Sequence, residues 1–131
     1  MQLKNKVAII TGAASGIGKQ IAIEYARQGA KVAIADLSLD AGNAVAEQIT
    51  TAGGSAIAVV MDVTNPDQVD AAVTQVLDTY HNLDIMLSNA GIQIISPLVD
   101  LKLEDWRKMM AIHLDGAFLT ARAAMRAMIH N

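Results

Sequence analysis

The sequence predicts an α/β fold: a doubly wound parallel sheet with its strands in the spatial order 3-2-1-4. Three observations predict it. Short apolar runs alternate along the whole chain with stretches of helical period. The apolar content, 53% of 131 residues, is carried mainly by Ala, Val and Ile, with aromatic residues at only 3%. That mix suits helices packed closely on a sheet buried on both faces. The first apolar run also ends in three spaced glycines, Gly12, Gly16 and Gly18, as a strand-to-helix turn requires. The length fits one domain, residues 1–131.

Each element follows from local pattern. Lys6 to Thr11 is a buried strand stopped by Gly12. From Gly16 the period changes, with Ile17, Ile21 and Tyr25 on one helical face and Gly29 placed to end the helix. Lys31 to Asp36 is a second buried strand that ends in an acid. Ser38 or Asp40 can cap the next helix, whose inner face carries Val45, Ile49 and Ala52 and which Gly53-Gly54 ends. Ser55 to Met61 is the third strand.

Asn65-Pro66 marks a helix start, an N-cap followed by proline at the first helical position. Val69, Ala72, Val73, Val76, Leu77 and Tyr80 then keep the helical period. Leu83 to Leu87 is the fourth strand, and Ile92 to Val99 a loop broken by Pro97. Asp100 can cap one long last helix reaching Asn131, with Trp106, Met110, Leu114, Ala117, Ala121, Met125 and Met128 as its inner stripe. Strand–helix–strand units with right-handed crossovers give a parallel sheet. The order 3-2-1-4 leaves a crevice between strands 1 and 4.

Composition narrows the partners. Between Lys31 and Lys102 there is no Lys or Arg, while nine acidic residues fall in that interval. A nucleic-acid partner needs a basic footprint, so none is expected. No run of about 18 apolar residues is present, so no membrane helix is expected. The absence of cysteine excludes disulfides and cysteine-based zinc sites and is consistent with a cytoplasmic setting. The three histidines, His81, His113 and His130, share no metal-ligand spacing.

The glycine stretch carries the first candidate site. Gly12 permits a tight turn, Gly16 lets a pyrophosphate approach the backbone, and Gly18 allows helix and strand to pack closely. Free amides and the helix dipole favour an anion there. Asp36 lies 18 residues beyond Gly18, where an acid hydrogen-bonds a ribose hydroxyl. A carboxylate at that point repels the 2′-phosphate of NADP, and no nearby cation offsets it, so NAD is the expected cofactor. Asp62-Val63 and Asn89-Ala90-Gly91 lie at equivalent strand ends, where ligands bind in such sheets. Each of these, taken singly, reads equally well as a turn residue.

In combination, Thr11 to Gly18, Asp36, Asp62-Val63 and Asn89-Ala90-Gly91 resemble the short-chain dehydrogenase/reductase family along the whole chain. The resemblance implies a Rossmann-like domain and hydride transfer between a nicotinamide cofactor and an alcohol or ketone. It places Ser15 and Ile17 in the phosphate loop, Asp36 and its neighbour Leu37 at the adenosine ribose, Asp62 and Val63 beside the adenine, and Asn89-Ala90-Gly91 along the cofactor cleft. It also implies a homo-oligomer, a tetramer in the full-length protein. "NAGIQ" (Asn89–Gln93) and "IHLDGAFLTARAAM" (Ile112–Met125) further resemble bacterial D-3-hydroxybutyrate dehydrogenases, in which the Gln matching Gln93 helps hold the substrate carboxylate. An exposed loop amide is the competing reading of Gln93.

Two departures from the family pattern stand out. His113 occupies a position where many members have an Asn that supports a proton-relay water; a packing histidine is the other reading. The family's acid–base group is a Ser followed by Tyr-x-x-x-Lys. Here Tyr25 is followed four residues later by Gly29 and Tyr80 by Asp84. No catalytic residue is therefore assigned. The expectation is the N-terminal, NAD-binding part of a longer dehydrogenase, inactive alone, whose full-length form oxidises D-3-hydroxybutyrate. Alternatives are a family member acting on a polyol, steroid or 3-oxoacyl ketone, a non-catalytic nucleotide-binding or assembly module, and a Rossmann-like methyltransferase.

Overall fold

The computed structural model describes residues 1–130. Four strands form one parallel sheet in the order β3-β2-β1-β4, as predicted. They are β1 (Val7–Thr11), β2 (Lys31–Asp36), β3 (Ser55–Val60) and β4 (Ile85–Leu87). The connecting helices are α1 (Gly16–Arg27), α2 (Leu39–Thr51) and α3 (Pro66–Tyr80). The last helical region is α4 (Leu103–Met110), a π-helical turn at Ala111–Asp115, and α5 (Gly116–Ile129).

The central strands are apolar on both faces because both faces are covered. Ile10, Val32 and Ile34 pack with Ala22 of α1 and with Val45 and Ile49 of α2. Val7, Ile9, Ala33 and Ala35 pack with Val69, Val73 and Val76 of α3 and Ala123 and Ala124 of α5. The two-residue strand period thus sends alternate side chains into two separate cores. Both middle helices start as their caps dictate: the Ser38 hydroxyl accepts from the Ala41 amide at 3.2 Å, and the Asn65 side chain from the Gln68 amide at 3.2 Å. Ser38, not Asp40, is therefore the cap of α2.

The last helix departs from its prediction in three ways. It is not continuous. Asp100 ends a short 3₁₀ turn (Leu98–Asp100), and Lys102 holds the N-cap position of α4. The predicted inner stripe is also out of phase. Trp106, Leu114 and Met125 are 48%, 62% and 59% exposed, and Ala121 is exposed too. Gly116, Thr120, Ala123 and Ala124 face inward instead. For the residues of α5 the cause is the π turn, in which the Gly116 amide bonds the Ala111 carbonyl five residues back. One extra residue in a turn rotates everything after it by about 100° relative to α4. The predicted end of this helix at Asn131 lies outside the described residues.

Gly116 sits where α5 closes on the segment after β3. A Cβ there would lie 2.7 Å from Val63 Cγ2. Gly116→Leu is expected to lower stability by about 1–3 kcal/mol. Ala121→Leu, on the exposed face, should change it by less than about 0.5 kcal/mol. Urea unfolding followed by far-UV circular dichroism checks both, and a larger loss at Ala121 would restore the unkinked helix phase.

Candidate nucleotide-binding cleft

The carboxyl ends of β1, β2, β3 and β4 open into one cleft of about 370 Å³. Gly12, Ser15, Ile17, Asp36, Leu37, Asp62, Val63, Asn89, Ala90 and Gly91 all line it. Residues from four separate strand ends, up to 79 positions apart, thus line one cleft. A broader hollow of about 820 Å³ follows the outer face of α1 from Ala14 to Tyr25, but no residue from the ends of β2, β3 or β4 lines it.

The glycine loop is shaped by what surrounds it. Gly12 takes φ +65°, and a Cβ there would press on Ala90 Cα at 3.0 Å. A Cβ on Gly18 would lie 2.5 Å from both the Gly12 carbonyl oxygen and Asn89 Nδ2, so helix and loop meet only because it is absent. Gly16 differs: it takes φ +58°, yet nothing lies within 4 Å of where its Cβ would be. The space beside Gly16 is open, as approach of a ligand phosphate requires. The Ser15 side chain makes no capping bond to the first turn of α1. Its amides therefore remain directed at the loop, in contrast with the capped starts of α2 and α3. The residues present fit a dinucleotide's pyrophosphate.

Asp36 is anchored rather than free. Its Oδ2 accepts from the Ala14 amide at 3.2 Å and its Oδ1 from the Ser38 amide at 3.1 Å. Two backbone donors orient the carboxylate at the cleft rim and tie the end of β2 to the glycine loop. No Lys or Arg lines the cleft beside it. Asp62 is organised similarly: its Oδ1 accepts from the Thr64 amide at 2.9 Å and the Thr64 hydroxyl at 2.7 Å. That leaves Oδ2 as an acceptor for an amino group.

Thr11 stood in the motif without a role of its own, and three further contributors escaped the motif reading. Thr11 is fully buried, and its Oγ1 accepts from the amides of Asn89 and Ala90, both at 2.9 Å. Asn89 Nδ2 returns a bond to the Thr11 carbonyl at 3.1 Å. The signal was a hydroxyl closing an otherwise apolar strand. Met61, Ile92 and Ile112 also line the cleft, with no sequence signal beyond being apolar.

Two predicted residues lie elsewhere. Gln93 is exposed and outside the cleft lining. His113 stands behind the loop, with Nε2 2.8 Å from the Ile92 carbonyl oxygen. Neither tyrosine lines the cleft, and Tyr80 is remote from it: its hydroxyl pairs with Ser55 at 3.1 Å, and Lys31 lies over its ring, at the opposite end of β2 and β3.

A model of the short chain dehydrogenase family matches residues 6–131. This chain belongs to that family. A sorbitol dehydrogenase of Cereibacter sphaeroides is 40% identical over 98% of the chain and 49% of its own length. A D-threitol dehydrogenase of Mycolicibacterium smegmatis is 38% identical, again over 98% of the chain and 49% of its own length. A short-chain dehydrogenase/reductase crystal structure from Mycobacterium marinum superposes with a TM-score of 0.95 at 42% identity, covering 98% of this chain and 52% of that one. The chain thus spans about half the length of the curated relatives it matches. Among the described residues, no helix is long and apolar enough to cross a membrane.

The Thr11 hydroxyl predicts a measurable loss. Thr11→Val keeps the shape but leaves the Ala90 amide without an acceptor and the Asn89 amide with only the Leu87 carbonyl at 3.1 Å, and should cost roughly 1–3 kcal/mol. Thr11→Ser should recover most of it. Thermal unfolding of the three proteins makes the comparison, and equal stability of the Val and Ser variants would remove the hydroxyl from the account.

Proposed function

We propose that this chain is the nucleotide-binding part of an NAD-dependent dehydrogenase of the short-chain family. The observation that carries the reading is Asp36. Its carboxylate is held by two amides at the cleft rim, with no cation beside it. Such a group accepts from ribose hydroxyls and repels a 2′-phosphate. The glycine loop would receive the pyrophosphate at the amides of Gly16, Ile17 and Gly18, with Ser15 at its edge. Asp62 Oδ2 would accept from the adenine amino group beside Val63, and Asn89-Ala90-Gly91 would wall the nicotinamide end. The nicotinamide, when bound, supplies the hydride acceptor.

In the complete protein the reaction would be a secondary alcohol going to a ketone. The hydroxyl proton would pass to a base, and the carbinol hydrogen would leave as hydride to the acceptor that the bound cofactor would supply. Neither Tyr25 nor Tyr80 is followed by the required Lys, so that base would come from outside this sequence and the chain alone would bind without turnover. The resemblance around Gln93 supports D-3-hydroxybutyrate as the alcohol, since an amide N–H suits a carboxylate. A polyol substrate is the second reading, supported by relatives named sorbitol and D-threitol dehydrogenase. Assembly into a homo-oligomer is part of the proposal. It is supported by the exposure of Leu114 in the π turn and of Phe118, Met125 and Ile129 on α5.

NADH and NADPH fluorescence titrations test the cofactor. NADH should bind at least about tenfold more tightly, and Asp36→Ala should erase most of that margin, as loss of a charge-assisted hydrogen bond predicts. Tighter binding of NADPH by the unaltered protein would overturn it. For the substrate, Gln93→Ala in the complete protein should raise KM for 3-hydroxybutyrate about tenfold or more; an unchanged KM would favour the polyol.

A further inference from the structure

We propose that Gln68, which stands outside the cleft, is a positioning residue that sets the Asp62 carboxylate for the adenine amino group by holding the Asp62 backbone amide. The functional part of the inference rests on the nucleotide-binding reading. The restraint itself stands on a connected set of hydrogen bonds.

Asp62 is held at three of its polar atoms. Its amide donates to Gln68 Oε1 at 2.9 Å. Its carbonyl accepts from the Asn65 amide at 3.0 Å. Its Oδ1 accepts from the amide and the hydroxyl of Thr64. Oδ2 remains as the acceptor for a ligand. The bonds to Thr64 lie inside the turn and would tilt with it. The bond to Gln68 reaches past the turn into the first turn of α3. That helix is fixed in the core by Val69, the next residue, and by Val73 and Val76.

A helix start alone predicts a different bond here. Asn65 is the N-cap of α3 and Gln68 its third residue. A glutamine in that place ordinarily reaches back to the N-cap amide. In this chain the Asp62 carbonyl already holds that amide. Gln68 passes over it and accepts from Asp62, six positions back. Its own amide donates to Asn65 Oδ1 at 3.2 Å. Gln68 thereby joins the cap of α3 to the residue that would read the base. It stands with Leu39 and Val60 in a hollow along the β3 edge, not in the cleft lining, so it acts through Asp62 and not on the ligand.

The consequence is selectivity for the base. Adenine carries an amino donor where hypoxanthine carries a carbonyl. A carboxylate oxygen aimed at that point accepts from the first and opposes the second. Aim decides the margin, because a hydrogen bond weakens as its angle departs from linear. Loosening the Asp62 backbone should therefore erode the choice between the two bases. It should leave the choice between NADH and NADPH intact, since that choice belongs to Asp36 at the end of another strand.

The test has a ligand-free arm and a binding arm. Amide hydrogen exchange followed by ¹H–¹⁵N NMR should show the Asp62 amide exchanging about tenfold faster or more in Gln68→Ala. In Gln68→Glu, whose carboxylate keeps the acceptor, the rate should stay near its original value. An Asp62 amide unmoved by Gln68→Ala overturns the proposal. In fluorescence titrations, NADH should bind about five- to tenfold more tightly than reduced nicotinamide hypoxanthine dinucleotide. Gln68→Ala should bring that margin within about twofold, and Gln68→Glu should restore it. The margin of NADH over NADPH should hold in both variants. A base margin absent from the unaltered protein or unmoved by Gln68→Ala overturns the positioning role, as does an NADH-over-NADPH margin that falls with it. If the unaltered protein binds no nicotinamide cofactor, the nucleotide-binding reading fails and the selectivity with it, while the exchange arm still decides whether Gln68 holds Asp62.

Discussion

The Thr11 hydroxyl is the junction on which the cleft depends. β1 and β4 end side by side, and the chain must turn away from both at the same level of the sheet. A turn that leaves a buried sheet carries amides that water cannot reach. Thr11 Oγ1 accepts two of them, from Asn89 and Ala90. With Asn89 fixed, its side chain reaches back to the Thr11 carbonyl and lies against Gly18. The glycine loop, the start of α1 and the Asn89–Gly91 segment are therefore one unit.

A second tie extends that unit across the sheet. Asp36 links the end of β2 to the Ala14 amide, so the acid proposed to read the ribose also supports the loop proposed to hold the phosphates. An acceptor set in advance loses little freedom on binding, which is the condition for selectivity between closely related ligands. Gly16 is left without neighbours inside this unit, and that open space is where the backbone is most approachable.

Much of the fold was legible because it rests on local pattern. The alternation of apolar runs with 3.6-residue periodicity located four strands and three helices closely, and Asn65-Pro66 placed the start of α3 at Pro66 itself. The last helix was misread for an equally local reason. A continuous apolar period was assumed across Ala111–Asp115, but the π turn inserts a residue without any composition signature, and the stripe changed face. The site divides in the same way. Glycines and acids at strand ends announce themselves through spacing, whereas Met61, Ile92 and Ile112 look like any other apolar residue.

By itself, then, the sequence determined the strand–helix alternation, the glycine loop and the acid at the end of the second strand. These depend on period, turn chemistry and charge within short windows. Only the tertiary structure decided which face α5 buries, that Thr11 binds residues 78 and 79 positions away, and that His113 grips Ile92 while Gln93 stays outside the cleft. The physical reason is that hydrogen bonds and close packing between distant segments depend on distances of tenths of an ångström. Nothing in a local pattern encodes those distances until the sheet has brought the strand ends together.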